Sequence, residues 1–415
     1  MKKLLILGAN SETIPLVETA KNMMLFTIVA DPDPDAPAKK VAHQGINIDG
    51  TNVDDLVNFC IKENIDGVLV GVADRLIQPY QKVCQALNLP CYGSTYQCEV
   101  LTDKGKFNVL CNQYGLQTIP STTFYRTDSI SKVKNIEYPV FIKPIDRNSG
   151  KGITLAFNQQ ELFDGIEKAF SITSSEFILL EKYMNCNDVI INYTIIDGEP
   201  ILSAIGDRYT TKEQGKTSQV CLGAVYPSDL EDIYKSNVHH KVVNMLKGIG
   251  LENCILTVSA FVENANFYFY DPGFRLQGEA PNLHIEQVAN FDQKKFLIDI
   301  AMNNNKLKVN NITADFKNHF NSTIWFLLKT GTIGKIEGLQ EVEKDPSVFH
   351  ISKRFSEGDI IDKSFTGTEA QVFARIYISC KSKHELKLKV KQIQNTVKVF
   401  DSNNSSQLLN GFVIN

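Results

Sequence analysis

The chain reads as an α/β and α+β multidomain protein, and three observations predict it. Its 415 residues are too many for one small core, so two to three domains are expected. Residues 1–100 alternate short apolar runs with helical patterns, as strands joined by crossover helices do. Residues after about 330 turn to strand patterns with a single amphipathic helix.

Composition narrows the class further. With 43% hydrophobic and 22% charged residues, the balance is that of a soluble globular protein. A net charge of −4 gives no electrostatic footprint for nucleic acid or an anionic membrane. The nine cysteines are scattered without a Cys-x-x-Cys pair, which predicts a reduced, cytoplasmic setting. The start, Met1-Lys-Lys-Leu-Leu-Ile-Leu-Gly8, has the charge-then-apolar order of a signal peptide. Its apolar run is too short and breaks at Gly8, so it reads as a first strand. No run is apolar over the roughly 20 residues that a membrane span needs.

Taken in order, Lys3–Leu7 is a short strand, and Ser11–Met24 suits a helix with Ser11 as its cap. Phe26–Ala30 is the next strand. Val53–Glu63 is helical, with Asp54 and Asp55 where the helix dipole favours negative charge. Gly67–Gly71 is a strand, Leu76–Leu87 a helix and Cys91–Gly93 a further short strand. The turn Gly8-Ala-Asn-Ser-Glu-Thr lacks the second and third glycines that let a backbone approach a pyrophosphate. A nicotinamide or flavin site is therefore not expected there; the segment reads as a docking and partly substrate-lining domain. In Leu101–Pro120, Thr102 or Asp103 caps a helix that Gly115 ends. Lys104 and Lys106 fall in its first turn, where the dipole disfavours cations; a bound anion or plain solvation would explain them.

The most informative stretch is Tyr138-Pro-Val-Phe-Ile-Lys-Pro144 with Ile145-Asp-Arg-Asn-Ser-Gly-Lys-Gly-Ile153. An apolar strand fixes where Lys143 points, and small residues in the next turn let backbone N–H groups approach an anion. That makes a candidate nucleotide-phosphate site. Further on, Val189–Ile196 and Pro200–Ile205 flank Asp197-Gly198, a strong hairpin signal.

In this order the motifs resemble the ATP-grasp superfamily, over roughly residues 1–330 and weakly to the end. Asp103-Lys104 looks like the family's phosphate-contacting helix start. Pro139-Val-Phe-Ile-Lys143 looks like its second nucleotide lysine, and Asp146–Gly152 like its flexible lid. Phe177-Ile-Leu-Leu-Glu181-Lys-Tyr-Met184 looks like the strand that receives adenine. The resemblance implies an ATP-grasp fold with an N-terminal parallel α/β domain (1–100), an ATP-grasp domain (101–330, lid about 118–182) and a small C-terminal α+β cap (331–415). It implies that Lys104, Lys143, Ser149, Gly150, Lys151, Gly152, Glu181, Lys182, Met184 and Asp188 bind ATP. Glu181 would accept the adenine amino group, the backbone at Lys182 and Met184 would meet the ring edge, and Asp188 would hold the ribose.

The metal side departs from the pattern. Similar enzymes carry a Glu-x-Asn-x-Arg run; here it is Asp271-Pro-Gly273-Phe-Arg275, and Ser259 stands on the preceding strand where a second acid is usual. Asp271 is left as the metal ligand, with one Mg²⁺ easier to hold than two and Mn²⁺ as the substitute. Arg275 is the catalytic candidate, stabilising an acyl-phosphate transition state, or else an ion-pair or backbone-binding arginine. Arg208 is a substrate candidate that can grip a carboxylate in a bidentate fork, or else pair with Asp207 or a neighbour. The loop Gln277–Leu283 after Arg275 is a further polar-rim candidate, with Gln277 as its substrate residue. His239 and His240 suit no metal site. After 330, Gly331–Gly338, Ser347–Phe355, Val372–Ser379 and Gln407–Val413 read as strands and His384–Thr396 as a helix.

The resemblance thus implies an ATP-dependent ligase joining a carboxylate to an amine through an acyl phosphate. An amino-acid or sugar-linked substrate, and a homodimer as family members often form, are expected. A bicarbonate-activating, carbamoyl-phosphate-synthase-like or carboxylase-like subunit is the alternative within enzymes. A nucleotide-binding protein without catalysis is the alternative outside them.

Overall fold

Uninterrupted apolar runs form the N-terminal sheet. β1 (Lys3–Leu7), β2 (Phe26–Ala30), β3 (Gln44–Ile46) and β4 (Gly67–Val70) are parallel, in the order β3-β2-β1-β4. The computed structural model describes residues 1–144, 153–211, 220–303 and 316–414. Leu4 to Leu7 are fully shielded from solvent, because helices supply the crossovers and cover the sheet. One of them, Val53–Glu63, is capped by the Asn52 side chain on the Asp55 N–H and closed by left-handed Asn64. The expected strand at Cys91–Gly93 does not form. Its backbone is drawn into side-chain bonding: the Tyr92 N–H donates to the Tyr80 hydroxyl, and the Tyr92 hydroxyl donates to the Phe274 carbonyl.

The helix Lys104–Gln113 and β5 (Gln117–Thr118) lead into a four-stranded antiparallel sheet. It comprises β6 (Ser121–Tyr125), β7 (Val140–Pro144), β8 (Thr154–Ala156) and β9 (Phe177–Lys182), ordered β6-β9-β7-β8. Val140 and Ile142 pack under the helix Gln159–Ile172 with Leu162, Ile166 and Ala169. Strand alternation therefore turns Lys143 to the opposite face.

The largest sheet is built from antiparallel hairpins. β10 (Asn187–Ile196) and β11 (Glu199–Thr210) meet at Asp197-Gly198, both at positive φ (49° and 79°), as a type I′ turn requires. β12 (Cys221–Tyr226), β13 (Cys254–Glu263), β14 (Asn266–Gly273) and β15 (Phe320–Leu327) continue it. β16 (Gly331–Glu337), β17 (Val348–Lys353), β18 (Ile360–Ile361), β19 (Val372–Cys380) and β20 (Lys398–Asp401) complete the strands. Nine strands run β17-β19-β15-β12-β11-β10-β13-β14-β5, and β18-β16-β20 form a small separate sheet.

Two expectations change here. Position 330 does not separate sheets: β15 pairs with β19 from Phe320↔Cys380 to Leu327↔Val372, and one apolar core spans both sides. Gln407–Val413 is not a strand beyond an isolated Leu328↔Leu408 bridge. The Gln394 carboxamide instead takes both the N–H and the carbonyl of Phe412, so no ladder partner is needed there. Among the described residues no helix is long and apolar enough to cross a membrane. All nine cysteines are free.

Candidate active site

Register brings the polar residues of the large sheet onto one face. Opposed residues across antiparallel strands share a face, so Gly206, Ile190, Ser259 and Asp271 form one row. The neighbouring row holds Ala204, Asn192, Thr257 and Gly273. The sequence alignment of Ser259 with Asp271 across adjacent strands is thus as expected. Among the described residues, no group of three or more His, Cys, Asp or Glu is placed to hold a metal.

Lys104 Nζ reaches Asp271 Oδ1 at 2.7 Å across this row. Both side chains are open to solvent, 70% and 49% exposed, so the pair contributes only about 0–1 kcal/mol and is cheap to exchange for a ligand. Lys106, by contrast, pairs with Glu99 outside the row, so no anion is needed to explain it.

On the four-stranded sheet Lys143 pairs with Glu181, which lies on β9 beside β7. The expected phosphate lysine and the expected adenine acceptor are therefore neighbours. Lys182 departs from expectation: its N–H already donates to the Pro120 carbonyl at 2.9 Å and is not free for a ring edge. Its ammonium reaches Glu263 on β13 at 2.7 Å, linking the small sheet to the large one. Met184 is buried. Ser149, Gly150, Lys151 and Gly152 lie outside the described residues.

Asp188 does not present a free carboxylate for a ribose. The Tyr270 hydroxyl donates to its Oδ1 at 3.0 Å, and Arg208 Nη1 to its Oδ2 at 3.2 Å. Burial raises the Asp188 carboxyl to about 6, although Arg208 and the Tyr270 hydroxyl pull it down. Arg208 makes the pair that its alternative reading anticipated, though not with Asp207. It spans Asp188, the Tyr270 hydroxyl (2.9 Å) and Glu279 (2.5 Å). Asp207 instead accepts from the Ser228 hydroxyl and the Asp229 N–H. A cleft of about 640 Å³ opens beside Asp188 and Arg208, with Tyr209, Leu222 and Phe412 on its walls. A second hollow of about 490 Å³, at Ile336, Gly338 and Lys353, touches none of these residues.

Arg275 is only 11% exposed and pairs with Asp74 of the N-terminal domain, while its Nη1 donates to the Leu276 carbonyl. These are the ion-pair and backbone contacts of its alternative reading. Gln277 explains the glycine at 273: a Cβ there would lie 1.6 Å from Gln277 Nε2. The Gln277 carboxamide thus takes the space of a side chain at 273. His239 stacks on Tyr193, and its Nδ1 lies 2.6 Å from the Tyr193 hydroxyl.

Tyr270 and Glu279 were not singled out from sequence. A tyrosine in Phe267-Tyr-Phe-Tyr270 reads as strand core, and only the β-bulge between Ser259 and Ala260 aims it at Asp188. Glu279 had a usable signal in its place four residues after Arg275.

Known proteins resemble this chain in sequence and in fold. Residues 103–306 match the family described as carbamoyl-phosphate synthase L chain, ATP binding domain. A phosphoribosylamine–glycine ligase of Fusobacterium nucleatum is 25% identical over 255 residues, which is 57% of this chain and 59% of that ligase. The chain thus aligns with little more than half the length of that relative. Among solved structures, an L-amino acid ligase from Bacillus licheniformis superposes with a TM-score of 0.77 at 16% identity, over 97% of this chain and 99% of that one. The biotin carboxylase domain of the Hydrogenobacter thermophilus 2-oxoglutarate carboxylase, solved with MgADP, ADP and bicarbonate, superposes with 0.75 at 18% identity, over 98% and 91%. These similarities support the ATP-grasp superfamily for this chain, with the family match confined to residues 103–306.

Proposed function

We propose that this protein is an ATP-dependent ligase that activates a carboxylate as an acyl phosphate for attack by an amine. The observation that carries the reading is the pair of lysine–acid contacts, Lys104–Asp271 on the large sheet and Lys143–Glu181 on the small one. On this reading each lysine would meet the triphosphate, and the acid beside it would become free once phosphate takes the lysine.

The donor set at Asp271 fits one Mg²⁺ better than two. It offers one carboxylate, the Ser259 hydroxyl opposite it and the nearby Gln277 carboxamide, and leaves the remaining positions to phosphate and water oxygens. When bound there, Mg²⁺ would neutralise charge on the phosphates. Lys104 and Lys143 would position the ATP phosphates, with Ser149, Gly150, Lys151 and Gly152, outside the described residues, as the further expected ATP-binding residues. Glu181, with the chain at Met184, would meet the base. Arg275, just beyond β14, would stabilise charge building on the transferring phosphoryl and the carboxylate. Asp188 serves this scheme through Arg208, which it holds in place, and not through a ribose.

A homodimer and the choice between amino-acid and bicarbonate substrates stay within this proposal as family expectations. A second reading, nucleotide binding without turnover, draws on Ser259 and Gly273, which replace the usual ligands. The test is ADP and phosphate release from MgATP across a panel of amino acids, other carboxylic acids and bicarbonate, each with amine acceptors. Release that depends on one carboxylate is expected. MgATP binding with no release under any combination would overturn the ligase reading in favour of the second.

A further inference from the structure

Two of the free cysteines, Cys84 and Cys91, are in contact, and the fold explains why. The helix Ile77–Leu87 carries Tyr80 and Cys84 one turn apart, and both are buried. Left-handed Asn88 closes the helix, and the Leu89 N–H returns to the Cys84 carbonyl at 2.9 Å. The chain then doubles back along the helix it has just left. The Tyr92 N–H donates to the Tyr80 hydroxyl at 3.2 Å, and the two rings lie 5.0 Å apart. This return lays Cys91 on the turn that holds Tyr80 and Cys84. There the Cys84 thiol donates to the Cys91 sulfur, which also takes bonds from the Gly93 N–H and the Tyr80 hydroxyl.

The surroundings give the two thiols different roles. Cys91 is partly exposed, whereas Cys84 is buried. A sulfur that accepts several hydrogen bonds is favoured as the thiolate, which is the reactive form. The bond from Cys84 leads; with those from Gly93 and Tyr80 it outweighs burial and holds the Cys91 thiol below its ordinary value. The same bond, together with burial, pushes Cys84 up, so Cys84 keeps its proton. Cys186 serves as a contrast within the chain. It too is partly exposed, but burial, with Glu263 beside it, pushes its thiol up to about 11.

The pair borders the support of Arg275. Tyr92 and Gly93 follow Cys91 directly, and the Tyr92 hydroxyl donates to the Phe274 carbonyl at 3.0 Å. A Cβ at Gly93 would lie 2.5 Å from the Phe274 ring, and Arg275 is the next residue.

We propose that Cys91 and Cys84 form a redox-active dithiol that reacts with small disulfides, and that its closure is felt at Phe274 and Arg275 through Tyr92. The Cys91 thiolate attacks one sulfur of the small disulfide, whose S–S bond breaks and releases a first thiolate. That thiolate takes up the proton that Cys84 gives up, and the Cys84 sulfur attacks Cys91 Sγ. The mixed S–S bond breaks and the second small thiolate leaves, taking a proton from water. The two protein sulfurs are thereby oxidised by two electrons to one disulfide, and the small disulfide is reduced to two thiols. Bond formation draws the sulfurs closer than a hydrogen bond does, so it shifts the Cys91–Gly93 segment against the Phe274 ring.

The test treats the reduced full chain with glutathione disulfide and maps the products by peptide mass. An internal Cys84–Cys91 disulfide is expected. Cys84→Ser should stop at the glutathione adduct on Cys91, and Cys91→Ser should leave Cys84 unmodified. In brief iodoacetamide labelling of the parent at about pH 7, Cys91 should react faster than Cys186 by about tenfold or more. Amide hydrogen exchange across residues 272–276 should change on oxidation, revert with dithiothreitol and stay unchanged in Cys91→Ser. Labelling of Cys186 as fast as Cys91, no glutathione-driven oxidation, or a bond from Cys91 to a cysteine other than Cys84 overturns the dithiol. Exchange at 272–276 that ignores oxidation overturns its link to Arg275. None of these readouts uses turnover, so they stand apart from the ligase reading.

Discussion

Lys104 Nζ and Asp271 Oδ1 lie 2.7 Å apart, so the cation expected to hold phosphate and the acid expected to hold metal neutralise one another at the end of β14. The contact bridges the helix Lys104–Gln113 and the large sheet, and both partners are exposed. An exposed pair yields easily to a competing ion, and a triphosphate with its metal offers each partner a stronger one. Lys104→Ala should therefore weaken MgATP binding by about tenfold or more while leaving the melting temperature nearly unchanged. Calorimetry for the first and a thermal melt for the second check it. A large loss of stability with unchanged affinity would make the pair purely structural.

Gly273 and Gln277 share one space. An asparagine at 273, the residue of the superfamily pattern, would meet the end of the Gln277 side chain, which is flexible and can swing aside. Gly273→Asn should therefore cost little stability, within about 1 kcal/mol, yet displace the Gln277 carboxamide. Turnover should fall in Gly273→Asn and in Gln277→Ala to similar extents, and the double variant should be no worse than either. Steady-state rates beside urea unfolding decide it; independent, multiplying losses would contradict a shared place.

Asp188 gives a pH dependence. Desolvation lifts its carboxyl from the ordinary 3.8 to about 6. A group whose folded value is raised favours the protonated folded state. Its contribution is complete below about pH 3.8 and is lost as pH rises through about 6. The parent should therefore lose stability relative to Asp188→Asn between pH 4.5 and 7. Urea unfolding of both proteins at the two pH values measures the difference, and a gap that moves the other way would contradict the raised carboxyl.

The segment after the N-terminal sheet holds the end of β14 through a ring. Phe274 packs edge-on to Tyr92, and a Cβ at Gly93 would lie 2.5 Å from Phe274 Cε1. Phe274 is fully buried, so it has no room to yield. Gly93→Ala should destabilise the fold by about 1–3 kcal/mol. Because Arg275 follows Phe274, turnover should also drop. Denaturant unfolding with a parallel activity assay tests both.

Much of this was legible in the sequence, for identifiable reasons. Strands such as Lys3–Leu7 and the Asp197-Gly198 hairpin announce themselves because pattern and turn chemistry are local. Lys104, Lys143, Glu181 and Asp271 stand out as candidates because each sits at a strand end or helix start within a recognisable run, and the structure pairs them as Lys104–Asp271 and Lys143–Glu181. The partners were not. Asp188 with Arg208, Lys104 with Asp271 and Glu12 with Arg375 are set by sheet register and domain contact over long separations, to which local pattern is blind. Gln407–Val413 misled for a related reason: its alternation is that of a strand, but backbone bonding to neighbouring strands stops at Leu409 and the distant Gln394 side chain takes the Phe412 backbone.

The account depends on Lys104 and Lys143 serving one nucleotide. The direct measurement is MgATP titration of the parent, of each lysine-to-alanine variant and of the double variant. It predicts one nucleotide per chain in the parent, weaker binding in each single variant and no measurable binding in the double. A parent that binds no nucleotide, or a double variant that binds as tightly as the parent, would contradict it.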